Sequence, residues 1–183
     1  VAAAKTTKTN KVGFVGGMKS AVVQSFEKGF TAGAKSVNPD IVVDAQYVGS
    51  FTDAGKGKTI ASTMYQSGTD VVFTAAGGSG AGVFTEAKDL NKAKNAADKV
   101  WVIGADRDQN SDGAYTAKDG KSNFTLTSSV KKVGKAVTDV TEKTAKGNFP
   151  GGKHLVYGLD DKGVALTRGH MSKDAWSAVQ DAE

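Results

Sequence analysis

The sequence has no cysteine, two prolines and two histidines. Without cysteine there are no disulfides, thiolate zinc sites, iron–sulfur clusters or cysteine nucleophiles. The compartment stays open, because exported bacterial proteins often lack cysteine as well. With His154 and His170 as the only imidazoles, a histidine-rich metal site or histidine relay is excluded. No apolar run approaches the ~18 residues that mark a membrane-spanning helix. Arginine is equally scarce: Arg107 and Arg168 stand alone, and lysine carries the rest of the positive charge behind a net +5. Nucleic-acid readers favour arginine for bidentate contacts. Scattered lysine reads as solvated surface, so no nucleic-acid partner is expected. The chain opens on Val1 with VAAAKTT, which reads as the last turns of a helix begun elsewhere; a fragment or processed product is expected.

What is present is a foldable core. Of 183 residues, 39% are apolar and 23% charged, which argues against disorder. Glycine occurs 23 times, well above the usual ~7%, and with little proline beside it this means tight turns between regular elements. Lys11–Gly17 is a short apolar run closed by two glycines and predicts a buried strand. Over Ser20–Ser36, Val22, Val23, Phe26, Phe30 and Ala34 recur at helical spacing and predict one inward face. Asn38-Pro39-Asp40 marks a turn. Strands are expected at Ile41–Val48, Asp70–Thr74 and Val100–Gly104. Helices are expected from an Asp53 cap to about Gln66, with Ile60, Ala61 and Met64 inward, and from about Gly80 to Asn91. Alternating short apolar strands and helices predict an α/β fold with a parallel sheet covered on both faces.

Beyond Asp106 the pattern changes. A polar stretch reaches Ser122, a strand is expected at Asn123–Val130, and a helix at Lys131–Lys146 with Val133, Val137 and Val140 on one face. Leu155–Gly158 and Val164–Thr167 read as a hairpin around an Asp160–Gly163 turn. Ser172 caps a last helix, with Trp176 inward.

Several motifs fall short of their templates. Gly57-Lys58-Thr59 resembles the end of a phosphate-binding P-loop, but position 52 is Thr where a glycine is needed. In Gly77-Gly78-Ser79-Gly80-Ala81-Gly82 the dinucleotide spacing fails at Val83. The nucleophile elbow fails at Ala81, and no histidine stands ready to serve Ser79. Two readings of that turn remain: backbone N–H groups open to a ligand at a helix start, or close helix–strand packing. Asp108, Asn110, Asp112 and Gly113 match a calcium-loop opening, with Asp119 at the last ligand position, where Glu is usual. The alternative is a polar surface loop. Asp106 follows a buried strand, where a carboxylate can accept hydrogen bonds from a diol; a helix cap or ion pair is the plainer role. Phe51 sits in a polar, glycine-flanked turn, where its ring could stack on a flat ligand.

Four motifs taken together carry a resemblance: VGFVGGM (12–18), YVGSFTDAGKGK (47–58), DVVFTAAGGSGAGVF (70–84) and VIGADRDQ (102–109). With the Asn38-Pro39-Asp40 turn and SSVKKVG (128–134), the chain resembles the basic membrane protein family, the substrate-binding lipoproteins of ABC transporters. Ala54 and Ala21 stand where that family often has proline. The resemblance implies a type I periplasmic-binding-protein fold of two lobes closing on ligand. Members are about twice this length, so the chain would be a Rossmann-like ligand-binding lobe (1–109), a segment crossing to the mostly missing N-terminal lobe (110–150), and a return (151–183). The resemblance implies a purine nucleoside as ligand, with Phe51 stacking on the base and Gly77, Gly78, Asp106 and Lys131 holding the ribose. It implies no cofactor, no metal and no catalysis. The expected partner is an ABC permease, and the place extracytoplasmic, held by a lipid anchor upstream of Val1. Another small solute, or a ligand-responsive regulator of the same fold, is the alternative; a nucleotide-dependent enzyme is weakened by the failed spacings.

Overall fold

The computed structural model describes residues 1–183. A short helix α1 (Ala2–Thr6) leads into β1 (Lys11–Gly16), α2 (Ala21–Val37), β2 (Val42–Tyr47), α3 (Ala54–Gln66), β3 (Val71–Ala75), α4 (Gly80–Lys92) and β4 (Trp101–Asp106). There follow a hairpin of β5 (Ala114–Ala117) and β6 (Gly120–Asn123), then β7 (Thr125–Lys131), α5 (Val133–Ala145), β8 (Val164–Leu166) and α6 (Lys173–Gln180). The main sheet runs β2-β1-β3-β4-β7-β8, parallel except for β8.

Strand alternation divides the core between the two faces of this sheet. Val15, Val72 and Val102 face α3 and α4, where Ile60, Ala61, Met64, Val83, Phe84 and Ala87 close one core. Val12, Phe14, Val71, Phe73 and Ile103 face the other way, onto α1, α2 and α6. Val23 and Ala34 are buried there as the helical spacing predicts, while Val22 is 63% exposed, a correction to the inward face expected for it. It lies in the first turn of α2 and lines a small cavity beyond the strand ends.

Two expectations are revised. The polar stretch after Asp106 is not all loop. Tyr115 and Ala117 alternate inward on β5 and pack with Phe124 against the α4 core. Tyr115 and Ala117 thus pack on the α4 side, and β7 carries the chain along β4 to Lys131. Beyond it α5 buries no residue at all, and the chain up to β8 is largely exposed. The second revision concerns Leu155–Gly158, which forms no strand. Val164–Leu166 instead pairs antiparallel with Ser129–Lys131, because β7 offers an unpaired edge already anchored to β4. Thr167 reinforces that pairing, its carbonyl accepting from Thr127 Oγ1 at 2.6 Å.

Asn91 joins the end of α4 to the start of β4. Its side chain is wholly buried; Oδ1 accepts from the Val100 N–H at 2.8 Å and Nδ2 donates to the Val100 carbonyl at 2.9 Å. Asn91→Ala orphans both backbone groups and should cost about 2–4 kcal/mol in urea unfolding. On the other face Tyr47 donates to Glu27 Oε2 at 2.5 Å, tying β2 to α2. Burial first, and that bond to a carboxylate second, push the Tyr47 phenol up from 10.0 to about 12. The unfolded chain loses this proton first, so the stability it confers is whole below pH 10 and lost as pH rises through about 12. A melting-temperature series should show that alkaline loss, and Tyr47→Phe should flatten it.

Candidate functional site

The strand order reverses between β1 and β3: the chain moves outward to β2 from one and to β4 from the other. In a doubly wound sheet the crevice beyond the carboxyl ends at such a point is where ligands bind. The turns after β1, β2, β3 and β4 all converge on that edge.

The turn after β2 carries Phe51, and Ser79 holds it in place. The buried Ser79 hydroxyl donates to the Ser50 carbonyl and accepts from the Asp53 N–H, both at 2.9 Å. Its own N–H donates to the Phe51 carbonyl at 3.0 Å. Asp53 then caps α3, accepting from the Lys56 N–H at 2.8 Å. Ser79 is thus a clamp, and its hydroxyl is committed to backbone groups. The Phe51 ring lies across the end of β1, 40% exposed, where Gly17 leaves it room; a Cβ on Gly17 would overlap the ring. Gly77, in the left-handed region at φ +56°, passes beneath the same ring.

Asp106 ends β4 in an uncommon conformation. Its φ is +71°, and the Arg107 N–H bonds back to the Ala105 carbonyl at 2.9 Å, closing a tight γ-type turn around it. Strain of that kind, about 1–3 kcal/mol, collects at functional positions. The turn aims the carboxylate at Lys131, the last residue of the neighbouring β7, whose Nζ is 2.8 Å from Oδ1. Lys131 Nζ also stands 5.0 Å from the centroid of the Phe26 ring on α2.

Phe51, Gly77, Asp106 and Lys131 line one cavity of about 170 Å³, together with Ser20 and Phe26 from the start of α2. Gly78 lies just outside it, in a polar groove of about 840 Å³ along α4 that also reaches Gly77 and Asp106. Of the residues the sequence points to, the structure therefore gathers four and sets the fifth at the rim. Ser20, Phe26 and Ser79 were not legible as site residues. Phe26 reads in sequence as core, and the failed hydrolase template hides the structural use of Ser79.

The four residues of the calcium reading make other contacts. Asp112 is paired with Arg107 at 2.7 Å, and Asp108 caps the Asn110 N–H at 2.9 Å. The Asn110 side chain meets His170 Nε2 at 2.9 Å. Asp119 is in the β5–β6 turn, where it accepts from the Ala96 N–H at 2.8 Å. No three carboxylates or histidines gather to hold an ion. Strand β5 separates the loop's opening from Asp119 at the hairpin turn. The cavity offers the rings of Phe51 and Phe26, one carboxylate, one ammonium and open backbone, a set suited to stacking and hydrogen bonding.

The family model described as PnrA-like ABC transporter substrate-binding protein matches residues 1–182. A curated relative from Lactococcus lactis subsp. cremoris, named ABC transporter nucleoside-binding protein BmpA, is 58% identical over 100% of this chain and 52% of its own length. The chain spans about half the length of the curated relatives it matches. Among solved structures, a transcriptional activator of the comK gene from Bacillus halodurans superposes with a TM-score of 0.79 at 26% identity, covering 99% of this chain and 57% of that one. An ABC transporter solute-binding protein from Conexibacter woesei superposes with a TM-score of 0.70 at 22% identity, covering 99% and 56%, a likeness of fold. Matched almost from end to end, the chain belongs to the basic membrane protein family, the PnrA-like substrate-binding proteins of ABC transporters.

Proposed function

We propose that this chain is one lobe of an extracytoplasmic receptor that captures a purine nucleoside between two lobes and hands it to an ABC permease, held at the membrane as a lipoprotein. The observation that carries the reading is the convergence of Phe51, Gly77, Asp106 and Lys131 on one cavity at the point where the strand order reverses. Each group has a use. The Phe51 ring stacks on a flat base. Asp106 accepts from a ribose diol, and Lys131 donates to ribose oxygens. One carboxylate and one ammonium already paired leave the site without net charge, which suits an uncharged ligand. The name of the Lactococcus lactis relative supports nucleoside binding.

The cavity's size fits half of a cleft. About 170 Å³ is below the ~300–1,000 Å³ of complete ligand pockets. The second wall would come from the other lobe, consistent with a chain that spans about half of its relatives. No helix is long and apolar enough to cross a membrane; attachment by a lipid anchor is part of the proposal. A second reading, a ligand-responsive regulator, is favoured by the likeness to the comK activator structure. Specific binding to promoter DNA by the complete protein would select it.

Calorimetric titration of the two-lobed protein with inosine, guanosine, adenosine, cytidine and ribose tests the nucleoside reading. Purine nucleosides should bind at micromolar affinity or tighter. Phe51→Ala should weaken them by about 1–3 kcal/mol through lost stacking. Asp106→Asn keeps a residue tolerant of left-handed backbone while removing the charge, and should cost about 1.5–3 kcal/mol. Absence of binding to every nucleoside sinks the ligand assignment. Ser79→Ala should also weaken binding, by releasing the 50–53 turn, without touching ligand. Its signature is faster hydrogen exchange at the Asp53 amide, and unchanged exchange there would remove Ser79 from this role.

A further inference from the structure

We propose that Phe26 is a positioning residue of the site: its ring holds the Lys131 ammonium in place against Asp106 at the cavity wall. Lys131 Nζ is 5.0 Å from the Phe26 ring centroid and 2.8 Å from Asp106 Oδ1, and all three residues line the same cavity. The ring is itself braced. It meets Phe73 edge-on, with centroids 6.1 Å apart, and Phe73 is buried on β3, where Phe30 also packs against it at 5.5 Å. Phe26 is therefore a fixed shelf built out from the core.

The shelf answers a physical need. Lys131 is the last residue of β7, and the exposed chain beyond it provides no cover. A lysine there has a long, flexible stem and an ammonium that water would hydrate as readily as Asp106 would bind it. Asp106 is more than half exposed, so the ion pair alone fixes the ammonium weakly. The negative face of an aromatic ring adds a second attraction from below and denies the ammonium the space beneath. Phe26 also stands between this cavity and an apolar groove of about 350 Å³ behind it, which Phe30, Phe73 and Leu166 line as well. Truncating the ring would let the lysine stem swing into that groove, away from the ligand side.

Two measurements decide this. The first uses ligand-free protein and NMR. The Lys131 Cε protons should appear upfield of those of the other lysines because they lie over a ring. Phe26→Leu should abolish that shift, and Phe26→Tyr should restore it. The second rests on the nucleoside reading and uses inosine affinity in the two-lobed protein. Phe26→Leu should weaken binding about two- to fivefold, Lys131→Met should weaken it more, and the double variant should bind no more weakly than Lys131→Met alone. Lys131 Cε protons at ordinary lysine shifts, or losses that multiply in the double variant, would overturn the proposal. Should the wild type not bind inosine, the nucleoside reading fails, while the NMR comparison still decides what Phe26 does. If Phe26→Leu does not fold, Phe26→Met serves in its place in both measurements.

Discussion

The site depends on how closely α3 and α4 approach at their first turns. A Cβ on Gly82 would overlap the Ala54 carbonyl, and one on Gly57 would overlap the Ser79 carbonyl, so backbone meets backbone at that crossing. This proximity puts Ser79 within reach of Ser50, Phe51 and Asp53. Two turns that leave different strands become one rigid unit, with an aromatic ring on top. A larger residue at either glycine would part the helices and with them the Phe51 ring from Gly77. The glycine wealth of the sequence is thus spent in part on close approach, which the sequence alone does not distinguish from simple tight turning.

The elements up to β4 were legible because β1, β3 and β4 are short apolar runs and α2 and α3 open on the capping residues Ser20 and Asp53. Asp53 and Ser172 both cap as their positions foretell, accepting from Lys56 and Ala175. The register of the strands follows from their alternation between two covered faces. Legibility ends where local pattern stops deciding. Tyr115 and Ala117 sit in a polar stretch, and only the waiting contacts of Phe84 and Phe124 make that stretch a hairpin with a buried side. Leu155–Gly158 has the composition of a strand but no partner edge, whereas Val164–Leu166 finds one on β7.

The site shows the same split. Phe51 and Asp106 stand out in sequence because an aromatic and a carboxylate just past strand ends are exposed by topology. The turn conformation at Asp106, the reach of Lys131 across to it and the Phe26 shelf beneath are relations between elements, and no spacing in the chain encodes them. Energetically the site contributes little to folding. An exposed ion pair is worth about 0–1 kcal/mol, and the left-handed turn at Asp106 costs about as much or more. Such a balance is expected of groups arranged for a ligand. Their geometry is sustained by the core beneath them, through Phe73 on one side and Ser79 on the other.

The contrast between α4 and α5 bears on what the rest of the protein must provide. Both helices have 13 residues. In α4, Val83, Phe84 and Ala87 are buried against α3 and the sheet. In α5 nothing is buried, and Val133 and Val137 are 63% and 60% exposed on one face. Its side-chain support is local, such as the Lys135–Asp139 pair at 2.8 Å one turn apart. A helix of this length is marginal in water without tertiary cover, and one i,i+4 ion pair adds only about 0.3–0.5 kcal/mol. An amphipathic helix placed directly after Lys131 therefore calls for an apolar surface beyond the ligand cavity. In the two-lobed reading proposed above, the other lobe would supply both that surface and the second wall of the cleft. Lys131, two residues before this helix, has its ammonium between the Phe26 ring and Asp106.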